Sequence, residues 1–186
     1  TGIEAFIDLE RLDARNTNFE YADFSQNVLL NQLTIVNSPL NNINISQNIN
    51  LSHFFADNCD LSTIDVSHNI KLRQLSLDGN NLSSIDVSNL VSMLSFSLED
   101  NYFTTLDLPL LPNLGGLIIN NNQITSINLS NLPSLVTWSS LLVSRFLIKI
   151  LLSRIKATLF PSGEKSANLC FSVERASSCF DCVSQM

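Results

Sequence analysis

Large apolar residues recur along much of this chain at a fixed interval of 21. Stepping from Leu12 meets Leu33, Phe54, Leu75, Phe96, Leu117 and Trp138, with no insertion over six units. With each of these counted as position 0, position 2 is Ala14, Ile35, Ala56, Leu77, Leu98 and Ile119. Position 7 is Phe19, Leu40, Leu61, Leu82, Phe103 and Ile124, and further apolar columns fall at positions 10, 12 and −3. A period of this length marks a solenoid: one coil cannot bury its apolar side alone, whereas stacked coils can.

Positions 0 and 2 alternate with polar neighbours, as a half-buried strand does. The pattern predicts one short strand per coil, stacked about 4.8 Å apart into a parallel sheet. The second half of the unit alternates as well, in Ile64-Asp-Val66-Ser67, Ile85-Asp-Val87-Ser88 and Ile127-Asn-Leu129-Ser130. A unit of 21 leaves no room for a full helix, so short extended or 3-10 segments are expected on the convex side. Pro112 and Pro133 fall where a turn begins and no ladder donor is needed. Position 5 is Thr17, Ser38, Cys59, Asn80, Asn101 and Asn122. A short polar side chain there can bond to backbone left unpaired where the strand turns away. Cys59 is accordingly read as a packing and turn residue, with a reactive thiol as the alternative.

Each unit follows L-x-x-L-x-L-x-x-N-x-L-x-x-I-D-V-S, most clearly from Leu72 to Ser88. The pattern resembles the leucine-rich repeat family over about residues 1–138. The I-D-V-S half and the short unit look most like bacterial cell-surface members, the internalin-like group included. The resemblance implies a right-handed, predominantly β repeat solenoid with a concave parallel sheet. It also implies a non-catalytic protein-binding or adhesion module with its ligand on the concave face, outside the cell or at its surface. Residues 1–11 fit the back half of an earlier unit, with Ile3 and Leu9 in place, which predicts further repeats on the N-terminal side.

Composition changes the picture at one point. Residues 1–138 hold 22 Asn and a net charge of −10, whereas residues 139–186 hold one Asn, a net charge of +3 and three of the four Cys. Residues 139–186 are therefore expected to be a separate non-repeat tail: a cap over the last coil, or non-native sequence from a frame error or junction. Arg145, Lys149, Arg154 and Lys156 make its apolar stretch too costly to span a bilayer, leaving an interfacial helix as a weaker membrane reading. Cys170, Cys179 and Cys182 include one C-x-x-C without a fourth ligand, so free or locally paired thiols are expected rather than zinc. The acidic balance, −7 over the whole chain, excludes a nucleic-acid binder, which would need a basic stripe. No signal peptide and no clear membrane span is visible.

Catalytic chemistry finds no foothold. Five scattered Gly make neither a dinucleotide nor a phosphate loop, and no G-x-S-x-G occurs. His53 and His68 match no metal-ligand spacing, and Asp65, Ser67 and His68 belong to a repeated scaffold motif. No catalytic residue, cofactor or metal is expected. Alternation instead points positions −1, 1 and 3 to the concave face. Position 3 supplies Asp57, Asp78 and Glu99, and Asp100 follows at position 4, giving an acidic stripe across three adjacent strands. Phe55 at position 1 and His53 at position −1 lie beside it, and an exposed aromatic is a common anchor. The stripe is either a solvated face that keeps a long sheet soluble or a site for a protein or surface ligand, a basic one by charge. The other expectations are a structural spacer within a larger adhesin, and a recruitment domain of a multidomain effector. Asn44, Asn50, Asn81 and Asn128 open N-x-S triplets that follow from a repeat rich in Asn and Ser.

Overall fold

The computed structural model describes residues 2–135 and the strand Leu141–Leu142. The cap, interfacial-helix and thiol readings of the tail lie outside these residues. Each 21-residue unit is one coil of a parallel β-solenoid. Strands β1 (Arg11–Asp13), β3 (Gln32–Thr34), β5 (His53–Phe55), β6 (Gln74–Ser76), β7 (Ser95–Ser97), β8 (Gly116–Ile118) and β9 (Leu141–Leu142) form one seven-stranded parallel sheet in chain order. Strands β2 (Tyr21–Asp23) and β4 (Asn42–Asn44) make a second parallel pair on the convex side. The remaining described convex segments are extended or turn, and the one described helix is a 3-10 turn, Ile3–Ala5.

Strand register follows the period. Leu12 lies opposite Leu33, Leu33 opposite Phe54, and so on through Leu75 and Phe96 to Leu117. Position 0 is thus a physical stack of side chains, and position 2 forms a second stack beside it, with Ile35, Ala56, Leu77 and Leu98 wholly buried. Val66 and Val87 close the core from the convex side, while Ile64, Ile85 and Ile127 are half-buried. In the first coil, by contrast, Phe19 is 45% exposed and Leu12 half-buried, because no complete described coil covers that end.

The period breaks at the last strand. Leu117 pairs with Leu141, a step of 24 in place of 21, and Trp138 lies outside the described residues.

Two polar columns hold the corners of the coils. At position 5, Asn101 Nδ2 donates to the carbonyls of Leu77 (2.9 Å), Leu98 (3.3 Å) and Glu99 (3.0 Å), and its Oδ1 accepts the Leu82 N–H at 3.0 Å. Asn80 and Asn122 repeat the arrangement. In earlier coils Ser38 Oγ accepts the Thr17 N–H, and Cys59 Sγ donates to the Ile35 carbonyl at 2.9 Å.

The second column, at position 15, is Asn27, Asn48 and Asn69, all fully buried. Each amide donates to two carbonyls of the coil before it: Asn48 to Phe24 (3.0 Å) and Asn27 (2.7 Å), Asn69 to Ile45 (3.1 Å) and Asn48 (2.9 Å). From Leu90 onward the same position is Leu, so the buried amide changes corner along the solenoid.

Candidate functional site

The acidic row begins with backbone alternation. With Phe54 and Ala56 buried in the core, His53, Phe55 and Asp57 emerge on the concave side, all half-buried. Asp78 and Glu99 stand one and two coils further on, also half-buried. Each carboxylate reaches toward the next coil. Asp57 Oδ1 accepts from Ser76 Oγ (2.6 Å) and from the Asp78 N–H (3.0 Å). Asp78 Oδ1 accepts from Ser97 Oγ (2.6 Å) and from the Glu99 N–H (2.7 Å). Glu99 Oε1 receives a longer bond from Asn120 Nδ2, at 3.4 Å. These three carboxylates therefore share one row and help to hold the sheet that displays them.

Asp100 has a different place. Position 4 is a column of left-handed turn residues: Asn16, Asn37, Asn58, Gly79, Asp100 and Asn121 all have φ between 52° and 64°. Asn, Asp and Gly tolerate that region better than other residues. Asp100 is exposed at the turn that ends the strand segment, beside the row rather than within it. Before it, Asn37 Nδ2 donates to Asn16 Oδ1 (3.0 Å) and Asn58 Nδ2 to Asn37 Oδ1 (3.1 Å). This amide ladder stops at Gly79, where a Cβ would collide with Asn58 Oδ1. The repeated Asn at position 4 was the signal for this turn.

His53 sits at the upstream edge of the row, with Nδ1 2.7 Å from Ser52 Oγ and 3.5 Å from Gln32 Nε2. Among the described residues the ion pair is Arg15 with Asp13, at 2.7 Å, so Asp57, Asp78 and Glu99 have no ion-pair partner there, although Arg15, at the same position two coils before Asp57, feels its charge. Burial pushes the Asp78 carboxyl above its ordinary pKa; hydrogen bonds from Ser97 and Glu99 pull the other way, and the nearby charges of Asp57 and Glu99 raise it further.

A carboxyl raised in this way binds its proton more readily in the folded chain than in the unfolded one. Its contribution therefore favours folding at low pH and is lost as pH rises from the unfolded value of about 3.9 through the raised one. Asp78→Asn keeps the Oδ1 acceptor and removes the titration. It is expected to flatten the fall in stability above about pH 4. Urea midpoints across a pH series check this, and an unchanged slope would show that Asp78 is not the group responsible.

Ser67 Oγ lies 3.1 Å from His68 Nδ1, but Asp65 accepts the N–H of Ser67 at 2.9 Å and does not orient the imidazole. Hydrogen bonding from Ser67 holds the Asp65 carboxyl below the usual range. Burial pushes the Cys59 thiol up, away from the reactive thiolate. Among the described residues no group of three or more His, Cys, Asp or Glu could hold a metal ion, and no helix is long and apolar enough to cross a membrane.

No protein-family model and no curated protein matches the sequence. Solved structures do match. The functional domain of InlJ from Listeria monocytogenes, described as including a cysteine ladder, superposes with a TM-score of 0.74 at 23% identity. That match covers 79% of this chain and 33% of the Listeria chain. A leucine-rich repeat protein of Leptospira interrogans gives a TM-score of 0.60 at 19% identity, covering 87% of this chain and 50% of the other. At these identities the likeness establishes the fold, that of an internalin-like leucine-rich repeat solenoid. The chain spans a third to a half of the structures it matches.

Proposed function

We propose that this chain is a non-catalytic binding module whose concave face takes a basic protein surface, with Asp57, Asp78 and Glu99 as the row of contact, Asp100 at its rim, and Phe55 and His53 beside it. The observation that carries the reading is a row of carboxylates at coil spacing with no ion-pair partner among the described residues, the nearest Arg in the column, Arg15, being held by Asp13. Like charges stacked on adjacent strands repel, so a row of this kind favours a partner that supplies the missing positive charge. Its summed field accelerates encounter with such a surface more than it tightens the final complex. The resemblance of the repeat to bacterial surface proteins supports a location outside the cell or on its surface and a role in adhesion.

Panning a random peptide library on the immobilised chain tests this. Wild type should select Lys- and Arg-rich sequences, and Asp78→Asn/Glu99→Gln should lose that selection. For a selected peptide, association with the double variant should slow by about tenfold at low salt, with the difference shrinking as salt rises. Selection without charge bias, or equal rates for both chains, would refute the concave assignment. One observation favours the spacer reading: Asp57 and Asp78 each commit an oxygen to the next coil. A chain that selects no peptide at all would be that spacer.

A further inference from the structure

The positive charge of the solenoid is confined more tightly than its negative charge. Arg11, Arg15, Lys71 and Arg73 are the Lys and Arg residues within 2–135, and Arg15 is held by Asp13. Lys71 and Arg73 lie together on the segment that leads into β6, on the flank between the convex turns and the concave sheet. Lys71 Nζ donates to Asn50 Oδ1 at 2.7 Å, and Arg73 is exposed. From the second described coil onward that flank carries no carboxylate: residues 28–32, 49–53, 70–74, 91–95 and 112–116 contain no Asp or Glu, and Asp8 and Glu10 occupy only its first step, three coils from Lys71 and Arg73.

The same flank is apolar. Val28, Ile49, Ile70 and Val91 occupy one position in successive coils and are 46–55% exposed. Pro112 continues the line. Stacked coils make this a continuous ridge, and contiguous exposed apolar surface marks interaction sites. Beside Lys71 and Arg73 the ridge borders a shallow groove walled by Val91, Leu94 and Pro112.

We propose that this flank is a second binding surface, separate from the concave row, and that it docks an extended acidic peptide segment of a partner protein. Carboxylates of the segment lie over Lys71 and Arg73, and an apolar side chain between them rests against Val91 and Pro112. Segregated charge selects the partner: a basic segment would find no counter-charge beside the groove, whereas an acidic one is repelled by the concave row and attracted here.

The test is fluorescence anisotropy of the full chain with a labelled hexapeptide alternating Glu and Leu, beside one alternating Lys and Leu. The acidic peptide should bind saturably. Lys71→Gln/Arg73→Gln should weaken it by about fivefold, as loss of two exposed ion pairs does. Val91→Ser should weaken it as well, and Asp78→Asn/Glu99→Gln should not. All three sites are exposed or half-buried, and unchanged urea midpoints confirm that the variants fold. Absence of saturable binding, or binding undiminished by the flank variants, overturns the proposal. So does equal affinity for the basic peptide in the Asp78→Asn/Glu99→Gln variant, whose concave row has lost the charges that would draw it. Self-association that Val91→Ser abolishes, without acidic-peptide binding, would assign the ridge to a second copy of the chain.

Discussion

Leu77→Ala should lower the free energy of unfolding by about 2–5 kcal/mol. Leu77 is wholly buried in the position-2 stack, with Ala56 and Leu98 on the neighbouring coils. Those coils are fixed by the ladder: the Leu77 N–H donates to the Ser97 carbonyl at 3.0 Å, and the Ala56 N–H to the Ser76 carbonyl at 3.0 Å. They cannot close around a missing isopropyl group without breaking register, so the cavity stays open and its cost adds to the lost transfer energy. Urea unfolding followed by circular dichroism measures the loss, with Ser84→Ala on the exposed surface as the control. A loss below about 1 kcal/mol would mean that positions 0 and 2 do not form the core, and the concave assignments would fall with them.

Asn101→Leu should cost about 3 kcal/mol, and Asn69→Leu much less, although both remove a buried amide. Asn101 bonds with both ends of its side chain. Its loss leaves the buried Leu82 N–H without an acceptor, while the three carbonyls it serves keep Asn80 Nδ2, Asn122 Nδ2 and the Gly79 N–H as donors. Asn69 bonds with its nitrogen alone, and its Oδ1 is buried without a partner. The carbonyls it serves keep other donors, Asn48 N–H for Ile45 and Leu51 N–H for Asn48. Removing an unsatisfied oxygen offsets part of the loss, and later coils already carry Leu at this position. Comparison of the two midpoints decides the matter; equal costs would show that the corners are not specialised.

The solenoid was legible because burial on both sides of every coil forces the same residue type to return every 21 positions, as Leu33, Phe54 and Leu75 do. The concave row was legible for a related reason: once Phe54 and Ala56 point inward, Phe55 and Asp57 have only one other face. What escaped the sequence reading depended on backbone geometry that apolar periodicity does not report. The left-handed turn at Asp100 is set by φ, and its trace in the sequence, the Asn that returns at position 4, does not by itself separate a turn from a solvated column. The position-15 column was hidden because Asn27, Asn48 and Asn69 are three of many Asn and give way to Leu90 midway. The step to Leu141 broke the one regularity on which the register was read. Lys71 and Arg73 were visible as residues, but their common flank appears only when the coil is closed.

The corner side chains also give the solenoid a direction. Asn27, Asn48, Asn69, Asn80, Asn101 and Asn122 each serve backbone groups of the coil before their own. At these corners dependence between neighbours is therefore one-way, the reverse of the concave row, where Asp57 and Asp78 serve N–H groups of the coil after their own. Peeling a coil from the N-terminal side of such a stack frees side-chain amides, which turn to water at little cost. Peeling one from the C-terminal side strips the remaining coil of its corner and leaves main-chain groups bare. Two fragments of equal length, trimmed from opposite ends, need not be equally stable, and unravelling should propagate from the C-terminal side toward the N-terminal one.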